Sequence, residues 1–339
     1  MLAEFDLIRR YFTPGGTAGA ESRGMTLGVG DDASLLLPRS GHELAVSVDT
    51  SVVDVHFPGD APARALGHRA LAVAVSDLAA MGARGRFCWM ALTLDAQRLA
   101  DEHAAEAWLA GYARGFMDGC ARWETALAGG DVTSGRLAIS VTVMGEVPAG
   151  QALRRSGARV GDVVAVTGAL GGGAGGLELW QRGERDLDHP LLRRYLLPEP
   201  ALEAGMALRG LASSAMDISD GLLADLGHIR CASGVDAVLK VDALPLADGL
   251  GAALGADEAR RAALSGGDDY ELLVTLPPAN LARAQQALEA AGIALTAIGR
   301  CVAPGEGQNA AEILETATGG RRGWQHFTSP DPAPTEPPR

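Results

Sequence analysis

The stretch ETALAGGDVTSGRLAISVTVMGEVPAG, residues 124–150, contains two strand-like runs and no helix between them. ETALAGG (124–130) ends on a glycine pair, and RLAISVTVMGEV (136–147) is rich in β-branched residues, which suit a pleated, half-buried surface. The turn formers of GGDVTSG (129–135) join them. Two consecutive strands break the strict strand–helix alternation of a doubly wound sheet. Pro148 and Gly150 then punctuate the chain, which places a domain boundary near residue 150.

Before that boundary the periodicity predicts a helix in AEFDLIRRYF (3–12), a strand in HELAVSVDT (42–50) and an Ala-rich helix over 61–81. Strand RFCWMALTL (86–94) and a helix over 101–122 follow. Beyond the boundary come strand DVVAVTG (162–168), a glycine-rich turn, and helices GLELWQRG (176–183) and EPALEAGMALRGL (199–211). Strand SAMDIS (214–219) leads into helix DGLLADLGHIRCA (220–232). Strand YELLVTL (270–276), helix PANLARAQQALEAAG (278–292) and strand ALTAIGRC (294–301) close the pattern. The expectation is an α/β (α+β) chain of two domains, residues 1–149 and 150–328. The proline-rich polar tail SPDPAPTEPPR (329–339) is expected to be disordered.

Composition narrows the function classes. The chain has 45 glycines in 339 residues, where average usage gives about 24. Much of the excess sits beside acidic residues, where the backbone must turn tightly or approach a ligand closely. A net charge of −13 and a pI near 5.0 argue against a basic stripe for nucleic acid or anionic membrane. Of the 29 basic residues only Lys240 is a lysine. The four cysteines form no CxxC pair, so neither a zinc site nor a disulfide framework is signalled. The N-terminal MLAEFDLIRRYF carries charges within its apolar pattern, and no uncharged apolar run reaches ~18 residues. A soluble, cytoplasmic protein is expected.

The chemistry lies in six acidic segments: GVGDDASLL (28–36), SVDTSVVDVHF (47–57), SDLAAMGA (76–83), GGDVTSG, MDISDGL (216–222) and SGGDDYEL (265–272). Taken singly, most of these carboxylates read as turn formers or helix caps. Asp77, on an apolar helix pattern, needs a partner that a chain almost without lysine does not supply. Taken together, carboxylates and hydroxyls without a Cys/His cluster are the donors of a hard divalent cation such as Mg²⁺. The phosphate-binding P-loop is absent. GALGGGAGGLELW (168–180) matches GxGxxG through Gly171, Gly173 and Gly176, but no second strand ending in an acid follows. A glycine loop near a phosphate, or a flexible turn, fits that segment better.

In their order, GVGDDA, SVDTSVVDVHF, ALAVAVSDLAAMGA, GGDVTSG, RRSGARVGDVVAVTG, DISDGLLADLGHI and SGGDDYEL resemble the motifs of the thiamine-monophosphate kinase family. That family is part of the superfamily of aminoimidazole ribonucleotide synthase and selenophosphate synthetase. The similarity spans residues 3–328. The resemblance implies a homodimer with a shared N-terminal β-barrel and an α+β C-terminal domain on each subunit. It implies direct transfer of the ATP γ-phosphoryl group to thiamine monophosphate, assisted by several Mg²⁺ ions. Asp32, Ser47, Val48, Asp49, Asp77, Asp131, Asp217 and Asp220 fall on its magnesium positions. Gly130, Asp131, Arg155 and Ser219 fall on ATP-contacting positions, and His56, Asp268 and Trp324 on thiamine-phosphate positions. Val48 and Val132 stand where relatives often carry threonine, and Asp268 where they often carry glutamate. The N-terminus lacks the reactive Cys and Lys of selenophosphate synthetase.

Overall fold

A computed structural model of the protein describes residues 4–12, 23–95, 98, 101–308 and 313. Helix α1 (Glu4–Tyr11) and a small hairpin of β1 (Met25–Leu27) and β2 (Leu35–Leu36) precede the first main sheet. That sheet is built from β3 (His42–Val52), β4 (Arg84–Leu94), β5 (Ala126–Ser134) and β6 (Ala138–Pro148), with helices α2 (Ala63–Ala80) and α3 (Glu102–Arg122) between strands. Its order is β3–β6–β4–β5. The consecutive strands read in residues 124–150 are present, and the first is longer than expected. β5 runs on to Ser134 and β3 to Val52, so Asp131 and Asp49 lie inside strands rather than at their ends. β5 pairs parallel with β4, and the parallel connection is made by α3, whose N-terminus Asp101 caps by accepting the Ala104 N–H at 2.8 Å.

Helix α2 is apolar nearly all round, because it is covered on all sides. It packs on α3 through glycines of both helices. A Cβ on Gly115 would stand 1.9 Å from the Arg64 carbonyl oxygen, and one on Gly67 2.1 Å from that of Tyr112. The helix axes can approach this closely only without those side chains.

The second half runs β7 (Val163–Thr167), α4 (Gly172–Gln181), α5 (Pro190–Leu196), α6 (Leu202–Leu208), β8 (Ser214–Asp217), α7 (Leu222–Ser233) and β9 (Asp236–Leu239). It continues with α8 (Leu250–Leu254), α9 (Ala256–Ser265), β10 (Leu272–Leu276), α10 (Leu281–Glu289) and β11 (Leu295–Val302). The five strands form one antiparallel sheet of order β8–β10–β7–β11–β9. With antiparallel neighbours on both sides of β7, the glycine run cannot be a dinucleotide fingerprint, which needs a parallel βαβ unit. β9 and α8 escape the sequence reading because they are only 4 and 5 residues long, and α9 because its buried face is made mostly of alanines.

The two halves share α2. Trp180, Leu192, Tyr195 and Leu196 join the apolar cluster of the first half, while Ala79 and Ala80 join a cluster with Leu153, Ala204, Leu208 and Ala215 of the second. Among the described residues no helix is long and apolar enough to cross a membrane. The tail at 329–339 lies outside the described residues.

Gly115→Ala should lower stability by about 1–3 kcal/mol, the usual cost of overpacking, despite the better helix propensity of alanine. A thermal melt checks this, and an unchanged melting temperature would contradict the packing described.

Candidate active site

The alternation of β3 sorts its side chains. Leu44, Val46 and Val48 lie on one face, 45%, 58% and 63% exposed, while Ser47, Asp49 and Ser51 lie on the face that α2 covers. The Val48 side chain is therefore turned away from Asp49, and only its main chain is left to serve as a ligand. Asp77, in the last turn of α2, accepts a hydrogen bond from Ser47 Oγ at 2.5 Å. This hydroxyl is the partner its sequence setting demanded. One position earlier, the buried Ser76 Oγ donates to Asp217 at 2.7 Å, so α2 reaches the end of β8 across the domain boundary.

Three carboxylates thus meet from three elements. Burial, then the charges of Asp77 and Asp217, push the Asp49 carboxyl up to about 7. Burial, then Asp77, push Asp217 up to about 6, against the Ser76 hydrogen bond and the positive charge of Arg155. Ser219 and Asp220 follow β8, and their N–H groups donate to Asp225 Oδ2 at 3.1 and 3.2 Å. Asp225, in the first turn of α7, is itself raised to about 7 by burial and by Asp217 and Asp220. It was not singled out from the sequence. Its signal was an acid a few residues after Ser219 and Asp220 at a helix start, the pattern of a cap.

Two other acidic segments face a cleft of ≈ 1030 Å³. Residues 28–34, with Asp31 and Asp32, form one part of its lining, and residues 127–132, with Gly130 and Asp131, another. Trp89 lines it too, donating from Nε1 to Ser34 at 3.1 Å. A Cβ at Gly130 would lie 2.0 Å from the Met90 carbonyl oxygen, so only glycine fits there. Asp49, Val141, Met90 and Gly130 form one row across the sheet, which separates Asp49 from Gly130 by about 14 Å, three strand spacings.

Beside the Asp49 cluster sits an arginine that sequence reading did not single out. Arg69 Nη2 pairs with Asp268 Oδ1 at 2.7 Å and donates to the His56 carbonyl oxygen at 3.3 Å. Its Nη1 donates to the Tyr195 carbonyl oxygen. Burial would lower its pKa, but Asp268 and the two tyrosines reverse that, and the guanidinium stays charged. The backbone of Asp268 donates to Ser219 O at 2.9 Å and that of Tyr270 to Ile218 O at 2.9 Å, which joins this cluster to the loop after β8. Asp49 lies near enough to raise the Tyr270 hydroxyl further. His56 Nδ1 accepts the Val52 N–H at 3.0 Å, so in the neutral ring Nε2 carries the proton. Trp324 lies outside the described residues.

The remaining acid of SGGDDYEL, Asp269, has a different task. It accepts the N–H groups of Gly171 at 2.8 Å and Gly173 at 3.2 Å, and burial pushes it up to about 7. The start of α4 is therefore capped by the chain's own carboxylate. This is why the helix begins at Gly172, four residues before the expected start, and why these amides are not offered to a phosphate.

Asp49, Asp77 and Asp217, with Ser47, form an all-oxygen donor set of the kind that suits Mg²⁺. Among the described residues no three His, Cys, Asp or Glu side chains close into a finished metal-binding group. The fit rests on donor chemistry and on the mutual repulsion that a cation relieves.

Residues 30–147 match the family model described as AIR synthase related protein, N-terminal domain, and residues 159–309 its C-terminal domain. The thiamine-monophosphate kinase of Salmonella typhimurium is 40% identical over 96% of this chain and 99% of its own length. The crystal structure of thiamine-monophosphate kinase from Stenotrophomonas maltophilia superposes with a TM-score of 0.78 at 42% identity, covering 86% of this chain and 94% of that one. AaThiL complexed with AMPPCP and TMP gives a TM-score of 0.72 at 27% identity, covering 88% and 92%. The chain belongs to the AIR synthase related family and, within it, to the thiamine-monophosphate kinases.

Proposed function

We propose that this enzyme phosphorylates thiamine monophosphate to thiamine diphosphate with ATP, by direct in-line transfer of the γ-phosphoryl group, using several Mg²⁺ ions. The observation that carries this reading is the meeting of Asp49, Asp77 and Asp217 beside the His56–Arg69–Asp268 cluster, which sets cation donors next to polar groups suited to the acceptor. Joining two phosphates brings anions together, so positioning and charge neutralisation dominate the chemistry. Asp32, Asp49, Asp77, Asp131, Asp217 and Asp220, with Ser47 and the Val48 main chain, are the groups to hold Mg²⁺. When bound, the metal supplies the positive charge that lets the two phosphates approach.

The protein's own groups do the rest. Arg155, close enough to ease the Asp217 charge, offers a planar bidentate contact to an ATP phosphate. Gly130 lets ATP approach the β5 backbone, and Ser219 contacts it from the other domain. His56 Nε2–H is a donor for the acceptor phosphate, and Asp268 a counter-charge for the cationic thiazolium ring. Trp324 is suited to stack on the flat thiamine rings. No general base is required, because the attacking phosphate is ionised near neutral pH. Residues 1–149 take ATP and Mg²⁺ and make the dimer contact, and residues 150–328 complete the site. A homodimer is supported by β3, a sheet-edge strand with exposed Leu44, Val46 and Val48, which a second copy would cover. We place the enzyme in the cytoplasm.

Asp49→Asn and Asp131→Asn should each abolish thiamine diphosphate formation, assayed by chromatography, while melting as cooperatively as wild type. Near-normal rates in stable variants would defeat the metal-cage reading. The metal-free protein should lose stability as pH rises. Asp49 and Asp217 bind protons more tightly folded than unfolded, so their ionisation between the ordinary carboxylate range and about 7 opposes the fold. Its melting temperature should fall from about pH 5 to about pH 8, and Mg²⁺ should restore it most at the alkaline end. A flat or rising profile would contradict this.

A further inference from the structure

Arg69 ties three separate segments to one buried guanidinium: the turn at 52–57, α5, and the loop at 268–270. Its side chain is 3% exposed. Besides the bonds to Asp268, His56 O and Tyr195 O, the guanidinium lies 4.8 Å from the ring centre of Tyr195 and 5.8 Å from that of Tyr270. Tyr270 also donates its hydroxyl to Asp268 at 2.7 Å.

Both Arg69 and Tyr270 bind the same carboxylate oxygen, Oδ1. Oδ2 is left without a partner among the described residues, and the Asp268 side chain is 28% exposed. A carboxylate held on one oxygen and open on the other is set to receive a ligand. The backbone adds an independent sign. Asp54 (φ 61°), Asp268 (φ 66°) and Tyr270 (φ 52°) are three of four non-glycine residues with positive φ among the described residues. An aromatic side chain in that region is an outlier. Such conformations persist only where surrounding contacts hold them, and they gather at binding sites.

We propose that Arg69 is the positioning residue of the acceptor site: it fixes the turn that carries His56 and the Asp268 carboxylate in register, so that Asp268 Oδ2 meets the cationic thiazolium ring of thiamine monophosphate. The inference rests on the proposed thiamine-monophosphate kinase reading. Its signature is selective. Loss of Arg69 weakens the acceptor substrate and spares ATP, whose Gly130 and Asp131 contacts line the separate cleft.

The test is steady-state kinetics of Arg69→Lys and Tyr270→Phe with each substrate varied in turn, alongside thermal melts. Lysine keeps the charge but cannot bridge Asp268 and two carbonyl oxygens with a planar fork. Arg69→Lys should raise KM for thiamine monophosphate about tenfold or more, with KM for ATP within about twofold. Tyr270→Phe removes only one bond to Asp268 and should raise the acceptor KM about threefold; it decides the matter if Arg69→Lys does not fold. An unchanged acceptor KM, or equal rises for both substrates, would overturn the proposal even where the melting temperature drops. The wild-type control separates the two readings. No turnover of thiamine monophosphate by wild type defeats the proposed function and the inference with it, whereas normal wild-type turnover with unaltered variants defeats the inference alone.

Discussion

A helix this deeply buried must find partners for the polar side chains it carries, and the three of α2 that reach the site are Arg69, Ser76 and Asp77. Each finds its partner in a different part of the chain: Arg69 in Asp268, Ser76 in Asp217, Asp77 in Ser47. Two of those partners belong to the second domain. The relative placement of the domains therefore depends on hydrogen bonds that cannot be exchanged for water without leaving a buried group unsatisfied. The small residues that surround the polar three let α3, α6 and β8 come close enough for these bonds to form.

The cost of that arrangement is electrostatic. Asp49, Asp77 and Asp217 stand together with Arg155 as the nearby positive charge, and burial weakens the screening that water would provide. A protein with one lysine cannot balance such a cluster from its own side chains. In the proposed reaction, divalent cations brought with a nucleotide would turn that unfavourable charge into binding energy. The neighbouring Arg69 cluster is balanced internally instead, as expected of a group that positions the substrate rather than reacts with it.

Much of the fold was legible in the sequence. Strands 124–130 and 136–147, the Ala-rich helix and the alternation of β3 are strong periodic signals, and the acidic segments stood out against a chain full of glycine. The assembly was harder to see. Arg69 looked like an ordinary charge on a helix pattern, since its partners lie about 13, 126 and 199 residues away in the chain. Asp225 and Asp269 were hidden by resembling their neighbours; one caps the turn after β8 and the other caps α4. The glycine run misled for the same reason, because only the fold shows that Asp269 already occupies its amides. Adjacent aspartates in SGGDDYEL, alike in sequence, thus divide into one that pairs with Arg69 and one that holds the helix.

The most direct test of this account follows γ-labelled ATP in the presence of thiamine monophosphate and purified protein, with Mg²⁺ and then with excess EDTA. The account predicts that label enters thiamine diphosphate only when the metal is present, and that no labelled protein accumulates on the way. Label released solely as inorganic phosphate, or transferred equally well in EDTA, would contradict it.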